Sequence, residues 1–274
     1  MKQNNLTHNI LGTPQPRKSR INPDLAWQLN EYYSNPINLE ANQDVKKKHP
    51  DIQTQEKIVL PNKDMQFITD KNLYNEIKKY FTATFPDKQI MFDNLNWDDA
   101  NSAAAGSNLY IAIGADMFLK ANHPEYRIAR QADLETNLQM FKGKYIDSGS
   151  ALRSLDNPNL EQAKYLYKQI KRINPKIKFP IWIDLRGLKL TTDLNFNLTE
   201  ESRYKTADCL NWKDGAKYSQ TDDFGLPKEI DKNSSRQIWT TNKGLSRGCL
   251  YWGSVLGSGG EGLADSDSVG RVGL

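Results

Sequence analysis

Long apolar runs, cysteine and histidine are all scarce in this chain of 274 residues, and each scarcity excludes a class of function. No stretch approaches the roughly 18 apolar residues of a membrane-crossing helix, so no membrane span is readable. Residues 1–20, MKQNNLTHNILGTPQPRKSR, contain no apolar h-region, and no signal peptide is expected. Cys209 and Cys249 are too few for a disulfide framework or a cysteine metal site. His8, His49 and His123 stand apart from one another, which disfavours a zinc centre or a Ser-His-Asp triad. An excess of one charge sign is also missing: 37 basic and 33 acidic residues leave a net charge of +4. The basic residues fall in short patches such as Lys46-Lys47-Lys48 and Lys168 with Lys171 and Arg172, which read as solvated faces, so no nucleic-acid partner is expected. What is present is 10% aromatic residues, including six tryptophans, and this excludes a fully disordered chain. A mean hydropathy of −0.73 places part of the chain outside any core.

Residues 1–57 read as an N-terminal segment. A proline-bearing tail leads into a short helix with Leu25, Leu29, Tyr32 and Tyr33 on one face, and a polar linker follows Pro36. From Ile58 the texture becomes that of a folded domain. Thr69 or Asp70 can cap a helix with Leu73, Ile77, Tyr80 and Phe81 as its apolar stripe, ended by Phe85-Pro86. Residues 96–106, NWDDANSAAAG, predict a second helix with Asn96 as its cap, Asp98 and Asp99 in its first turn and Gly106 as its stop. Helices are also expected over 131–141, with Leu134, Leu138 and Phe141 aligned, and over 159–173, with Leu160, Ala163, Leu166, Tyr167 and Ile170 aligned. Every such stripe reads as core. Residues 179–190 alternate like a strand, and shorter strand candidates lie at 216–219, 237–241, 248–251 and 270–274. Helices first and short strands afterwards predict an α+β domain over 58–274.

Candidate catalytic sets have plainer readings beside them. Asp98 and Asp99 could form paired carboxylates, but adjacent helical positions do not share a face. Asp222 and Asp223 read as a turn, since no calcium-loop pattern surrounds them. Gly257 to Gly262 resembles a phosphate loop only in glycine content. Cys249 lacks a histidine placed to activate it and reads better as a buried or chance cysteine. Asn5 and Asn197 head Asn-x-Thr triplets that carry no weight without secretion. No cofactor and no metal site is expected.

The informative stretch is 244–274, GLSRGCLYWGSVLGSGGEGLADSDSVGRVGL. Aliphatic positions recur at Leu245, Leu250, Leu256, Leu263 and Val272, and between them sit Gly, Ser, Asp, Glu, Tyr, Trp and Cys. That mixture has the composition of a paratope, in which aromatics give rigid contact area and small polar residues adapt. A Gly/Ser-rich loop is the bland alternative, but such a linker would not carry spaced leucines or close on Arg271-Val272. The pattern GLSR, spaced leucines, then LA and GRV resembles the C-terminal variable region of target proteins of diversity-generating retroelements. Upstream, Trp97-Asp98-Asp99-Ala100, Ala104, Gly106, Tyr126-Arg127-Ile128-Ala129 and Asp133-Leu134-Glu135 look like the two-helix part of that family's C-type-lectin-like fold. A formylglycine-generating-enzyme-like pattern is also similar, with Ala129-Arg130 in place of its Pro-Thr. The resemblance spans about residues 58–274.

The resemblance implies a C-type-lectin-like domain of two or three helices on short irregular antiparallel strands, and a non-enzymatic ligand-binding function. It implies that a reverse transcriptase encoded nearby rewrites adenine-bearing codons. The varied contact set is then Cys249, Tyr251, Trp252, Gly253, Ser254, Gly257, Ser258, Gly259, Gly260, Glu261, Asp265, Asp267 and Ser268. A tryptophan codon has no adenine, so a fixed aromatic is the alternative at Trp252. Leu245, Arg247, Leu250, Leu256, Leu263, Arg271 and Val272 are the implied scaffold anchors, each aliphatic one contributing about 1.5–3 kcal/mol by burial. Trp239 is expected beneath the face, as its floor or as ordinary core. The acidic cast of Glu261, Asp265 and Asp267 suits a protein or surface ligand with basic or polar groups. In that family the closing strand runs further than Val272-Gly273-Leu274, so a truncated reading frame is expected. Two alternatives stay open: a formylglycine-generating-like oxidoreductase, which would need Cys209 and Cys249 as a copper pair, and a structural phage or surface protein.

Overall fold

A computed structural model of the chain describes residues 65–240 and 243–274; the expected N-terminal tail, first helix, linker and 58–60 run lie outside these residues. Helix α1 (Lys71–Thr84) starts where Asp70 accepts the backbone N–H groups of Asn72 and Leu73 at 2.7 and 3.4 Å. It buries Leu73, Tyr74, Ile77 and Phe81 and ends at Phe85, where Pro86 opens a 3-10 turn. The Asp70 cap and the burial of Leu73, Ile77 and Phe81 match the sequence expectation, whereas Tyr80 is half-buried and Tyr74 joins the buried face.

Residues 96–106 do not form the expected helix. They fold as a hairpin of β1 (Asn96–Asp98) and β2 (Ala103–Ala105). The Asp98 carboxylate accepts both the backbone N–H and the side-chain amide of Asn101, at 3.1 and 2.7 Å, and this closes the turn. Local side-chain bonding of this kind competes with helix formation, and the three alanines are buried as strand residues. Asp98 and Asp99 are therefore not first-turn charges.

Helix α2 (Leu109–Asn122) follows, and no expectation covered it. Ten of its residues are buried. A helix enclosed on all sides shows no polar face, so it leaves no amphipathic stripe to read. Helix α3 (Gln131–Thr136) is shorter than expected; the chain breaks at Asn137 and continues as a 3-10 turn over Leu138–Phe141. Both the Thr136 hydroxyl and the Asn137 amide donate to the Asp133 carbonyl at this break. Strand β3 (Tyr145–Leu152) precedes α4 (Leu160–Ile173), which buries Ala163, Leu166 and Ile170 as expected.

The remaining strands are β4 (Ile181–Asp184), β5 (Leu188–Leu190), β6 (Phe196–Leu198), β7 (Tyr204–Thr206), β8 (Ala216–Lys217), β9 (Gln237–Trp239), β10 (Leu245–Tyr251) and β11 (Val255–Gly260). Six of them join β3 in one seven-stranded sheet in the order β7-β4-β3-β10-β11-β9-β8, antiparallel except between β11 and β9. Helix α2 packs on β3 and β5, and α4 on β6 and β10. The class is α+β, with helices and strands interleaved rather than segregated. Residues 270–274 make isolated bridges to Tyr145 and Phe67 instead of the expected strand. No helix among the described residues is long and apolar enough to cross a membrane.

Strands β3 and β10 hold the centre. Gly149 and Gly248 pair directly, and a Cβ on either would come within 2.1 or 2.4 Å of the Trp182 indole. The two glycines thus make the seat for a fully buried tryptophan, whose Nε1–H donates to Asp184 at 3.0 Å. Arg130 and Arg203 approach the same carboxylate at 3.7 and 4.0 Å. Burial nevertheless dominates and pushes the Asp184 carboxyl up to about 6. A folded-state value above the ordinary one of 3.8 means that Asp184 supports folding fully below that pH, and that its support is lost as pH rises through about 6. Urea denaturation across this window is expected to show Asp184→Asn losing less stability with rising pH than the parent, by up to about 3 kcal/mol. Parallel pH profiles for the two proteins would contradict this.

Candidate functional site

The hairpin of β10 and β11 is closed by residues 252–254, with Tyr251 opposite Val255, Leu250 opposite Leu256 and Cys249 opposite Gly257. Strand β9 continues the register, placing Gln237, Ile238 and Trp239 beside Val255, Leu256 and Gly257. The alternation of a strand then sorts the side chains. Leu250 packs with Met65, Ala129, Leu134 and Ile146, and Leu256 packs with Trp182, Leu210, Tyr218 and Ile238. Tyr251, Val255, Gly257, Gln237 and Trp239 occupy the opposite face of the pleat. There the Tyr251 ring lies over Gly257, where a Cβ would sit 2.6 Å from it, and 5.4 Å from the Tyr145 ring.

Beneath this face the layer is fastened by buried polar groups. Arg247 makes a bidentate pair with Asp147, at 2.9 Å from Nε and 2.8 Å from Nη2. The Ser107 hydroxyl donates to the same carboxylate at 2.8 Å. Asp147 outweighs the cost of burial for Arg247, whose guanidinium is held well above its ordinary pKa. Arg153 reaches the Ser246 hydroxyl and the Ser258 carbonyl at 2.9 and 3.0 Å, bridging β10 and β11. Arg271 donates to Asp98 at 2.6 Å, which ties the chain's last residues to the β1–β2 turn.

The stretch after β11 is held mainly through its backbone. Leu263 is buried and its carbonyl accepts from Leu109 N–H. The Asn108 amide donates to the Ala264 carbonyl at 2.9 Å, Arg247 donates to the Asp265 carbonyl, and Asp267 N–H donates to the Tyr145 hydroxyl at 3.2 Å. The side-chain amide of Asn159 joins the carbonyls of Leu245 and Glu261. These fastenings spare the side chains of Glu261, Asp265 and Ser268; that of Asp267 makes one local bond, to Val269 N–H.

All seven anchor positions, Leu245, Arg247, Leu250, Leu256, Leu263, Arg271 and Val272, are buried. Of the proposed contact positions, Trp252, Gly260, Glu261, Asp265, Asp267 and Ser268 are exposed, and Tyr251, Gly253, Ser254 and Gly259 are half-buried. Cys249, Gly257 and Ser258 are buried and do not belong to an exposed contact set. Cys249 and Gly257 lie under the Tyr251 ring, and Ser258 is locked between Arg153 and the Trp239 carbonyl. Trp239 is 48% exposed, so it stands on the face rather than serving as its floor. Trp252 is 63% exposed with φ at 52°, a left-handed backbone that an L residue adopts at some cost.

Sequence reading missed Asp147, Ser107, Asn108 and Arg153 as partners of the layer. The one available signal was Asp147 inside the otherwise small and apolar run of β3. Both cysteines are free and buried, and burial pushes each thiol up to about 12, so neither is a ready thiolate. Among the described residues no three His, Cys, Asp or Glu side chains gather as a metal-holding group. A groove of about 710 Å³ borders the face, lined by Trp97, Asp98, Lys142, Lys144, Asp267 and Arg271 among others. Comparison with protein-family models, curated proteins and solved structures gives no match in any of the three.

Arg247→Met leaves Asp147 charged, buried and unpaired, and is expected to cost about 3–5 kcal/mol in urea denaturation. Trp252→Asn and Ser268→Gly are expected to stay within about 0.5 kcal/mol of the parent. Comparable losses for both classes would contradict the separation of fastening from surface.

Proposed function

We propose that this protein is a ligand-binding protein with a C-type-lectin-like domain, and that the surface of residues 249–268, with Trp239, is its recognition face. In this reading the face is the target of adenine-directed retrohoming, which rewrites its exposed side chains between generations. The observation that carries the reading is the sorting of side chains: seven anchors are buried, while Trp252, Glu261, Asp265, Asp267 and Ser268 are exposed. A surface can change freely only if its backbone does not depend on what it displays. The bonds from Asp147, Asn108, Arg153 and Asn159 supply that independence here.

Recognition then rests on Tyr251, Trp252 and Trp239, which offer large rigid contact area at low entropic cost. Ser254, Asp267 and Ser268 add adaptable polar contacts around them. A formylglycine-generating-like enzyme fits less well, because its metal chemistry needs accessible cysteines.

Sequencing the gene and its neighbourhood across a natural population tests the proposal. The expected result is an adjacent reverse transcriptase gene and a near-identical template repeat whose mismatches fall at adenines. Substitutions should gather at the exposed positions and spare the seven anchors. An intact locus with neither gene nor repeat, or substitutions spread evenly over face and anchors, would overturn it.

A further inference from the structure

We infer that the C-terminal end of α4 is an attachment surface for an anionic lipid bilayer, separate from the recognition face. Residues 162–183 contain six cations, Lys164, Lys168, Lys171, Arg172, Lys176 and Lys178, and no acid. The whole chain carries a net charge of +4, so everything outside this stretch is net negative. A helix C-terminus favours cations in its last turn, and Lys171 and Arg172 suit that role. The helix dipole does not account for Lys168 before that turn, or for Lys176 and Lys178 beyond the helix.

The fold gathers these cations in one place. Lys171 donates to the carbonyls of Pro175 and Ile177 at 2.6 and 3.2 Å, which folds the following turn back on the helix end. The rings of Tyr167 and Phe179 stack with centroids 4.6 Å apart, which sets the neighbours of Lys168 and Lys178 against each other. Lys168, Arg172, Lys176 and Lys178 are exposed. Lys164 pairs with Glu161, but none of these four has a carboxylate within ion-pair distance among the described residues. Such a patch attracts an anionic surface.

Two features favour a bilayer over other polyanions. Ile173, the last residue of α4, is 58% exposed, next to Arg172 and three residues before Lys176. An exposed aliphatic side chain among cations suits the headgroup boundary, where it enters the acyl layer while lysines reach lipid phosphates. The aromatic rings of the patch stack on each other, and Lys171 lies over Tyr167 at 5.8 Å. A single-stranded nucleic acid instead needs aromatic faces free for its bases. The position also suits attachment. Ile181, three residues after Lys178, pairs with Leu152, and Leu152 pairs with Leu245. Leu245 begins β10, and the 252–254 turn follows the other end of that strand, about 20 Å away at roughly 3.3 Å per residue. A protein held through the end of α4 therefore keeps its recognition hairpin turn away from the bilayer.

Co-sedimentation of the full chain with vesicles of mixed phosphatidylglycerol and phosphatidylcholine, against phosphatidylcholine alone, is the test. Binding is expected to the mixed vesicles only, and to weaken as salt rises. The combined variant Lys168→Gln, Arg172→Gln, Lys176→Gln, Lys178→Gln should weaken it about fivefold for each charge removed. A control removing as many exposed lysines elsewhere, Lys79→Gln, Lys213→Gln, Lys228→Gln and Lys232→Gln, should bind much as the parent does. Ile173→Ser should weaken vesicle binding several-fold while leaving any binding of duplex DNA or polyglutamate unchanged. Circular dichroism of every variant checks that the fold is kept. Absence of vesicle binding, equal weakening by the control, no effect of Ile173→Ser, or stronger binding of DNA or polyglutamate at matched charge concentration would each overturn the inference.

Discussion

The bidentate pair of Arg247 with Asp147 joins the last third of the chain to its middle. Both side chains are buried, and a buried ion pair is favourable only when its geometry is good and its remaining lone pairs are satisfied. Here Ser107 donates to the carboxylate, and the third guanidinium nitrogen of Arg247 reaches the Asp265 carbonyl. One interaction therefore fixes β10 against β3 and also positions the loop that follows β11. The Arg271–Asp98 bond repeats the device at the end of the chain, and there the acceptor is the residue that closes the β1–β2 turn.

Fastening of this kind separates two tasks that most surfaces combine. Leu245, Leu250, Leu256 and Leu263 provide apolar burial, and the arginines provide direction and register. The exposed side chains provide neither. Trp252 illustrates the freedom that results: a large indole at a left-handed backbone position is an unfavourable choice for stability alone. The hairpin tolerates it because its strands are held elsewhere.

Local patterns in the sequence were enough for some elements. The Asp70 cap and the stripe of α1, the stripe of α4, and the spacing of buried leucines in 245–263 were all readable, because each depends on neighbours a few residues away. Other elements depend on distant partners. The alanines of 103–105 look helical in isolation, yet Asp98 closes a turn on Asn101 and the three methyls are buried in a strand. Helix α2 is enclosed all round and so has no period to detect. Cys249 and Ser258 have the composition of contact residues, but a tyrosine ring and an arginine just beyond β3 cover them. The partner of Arg247 lies one hundred residues away, beyond any local pattern.

A display library randomised at residues 252, 254, 261, 265, 267 and 268, challenged with protease, measures the separation of frame from surface most directly. Most members are expected to resist cleavage as the parent does, whereas a companion library placing polar residues at 245, 250, 256, 263 and 272 should be largely digested. Equal survival of the two libraries, or loss of the first, would contradict the account.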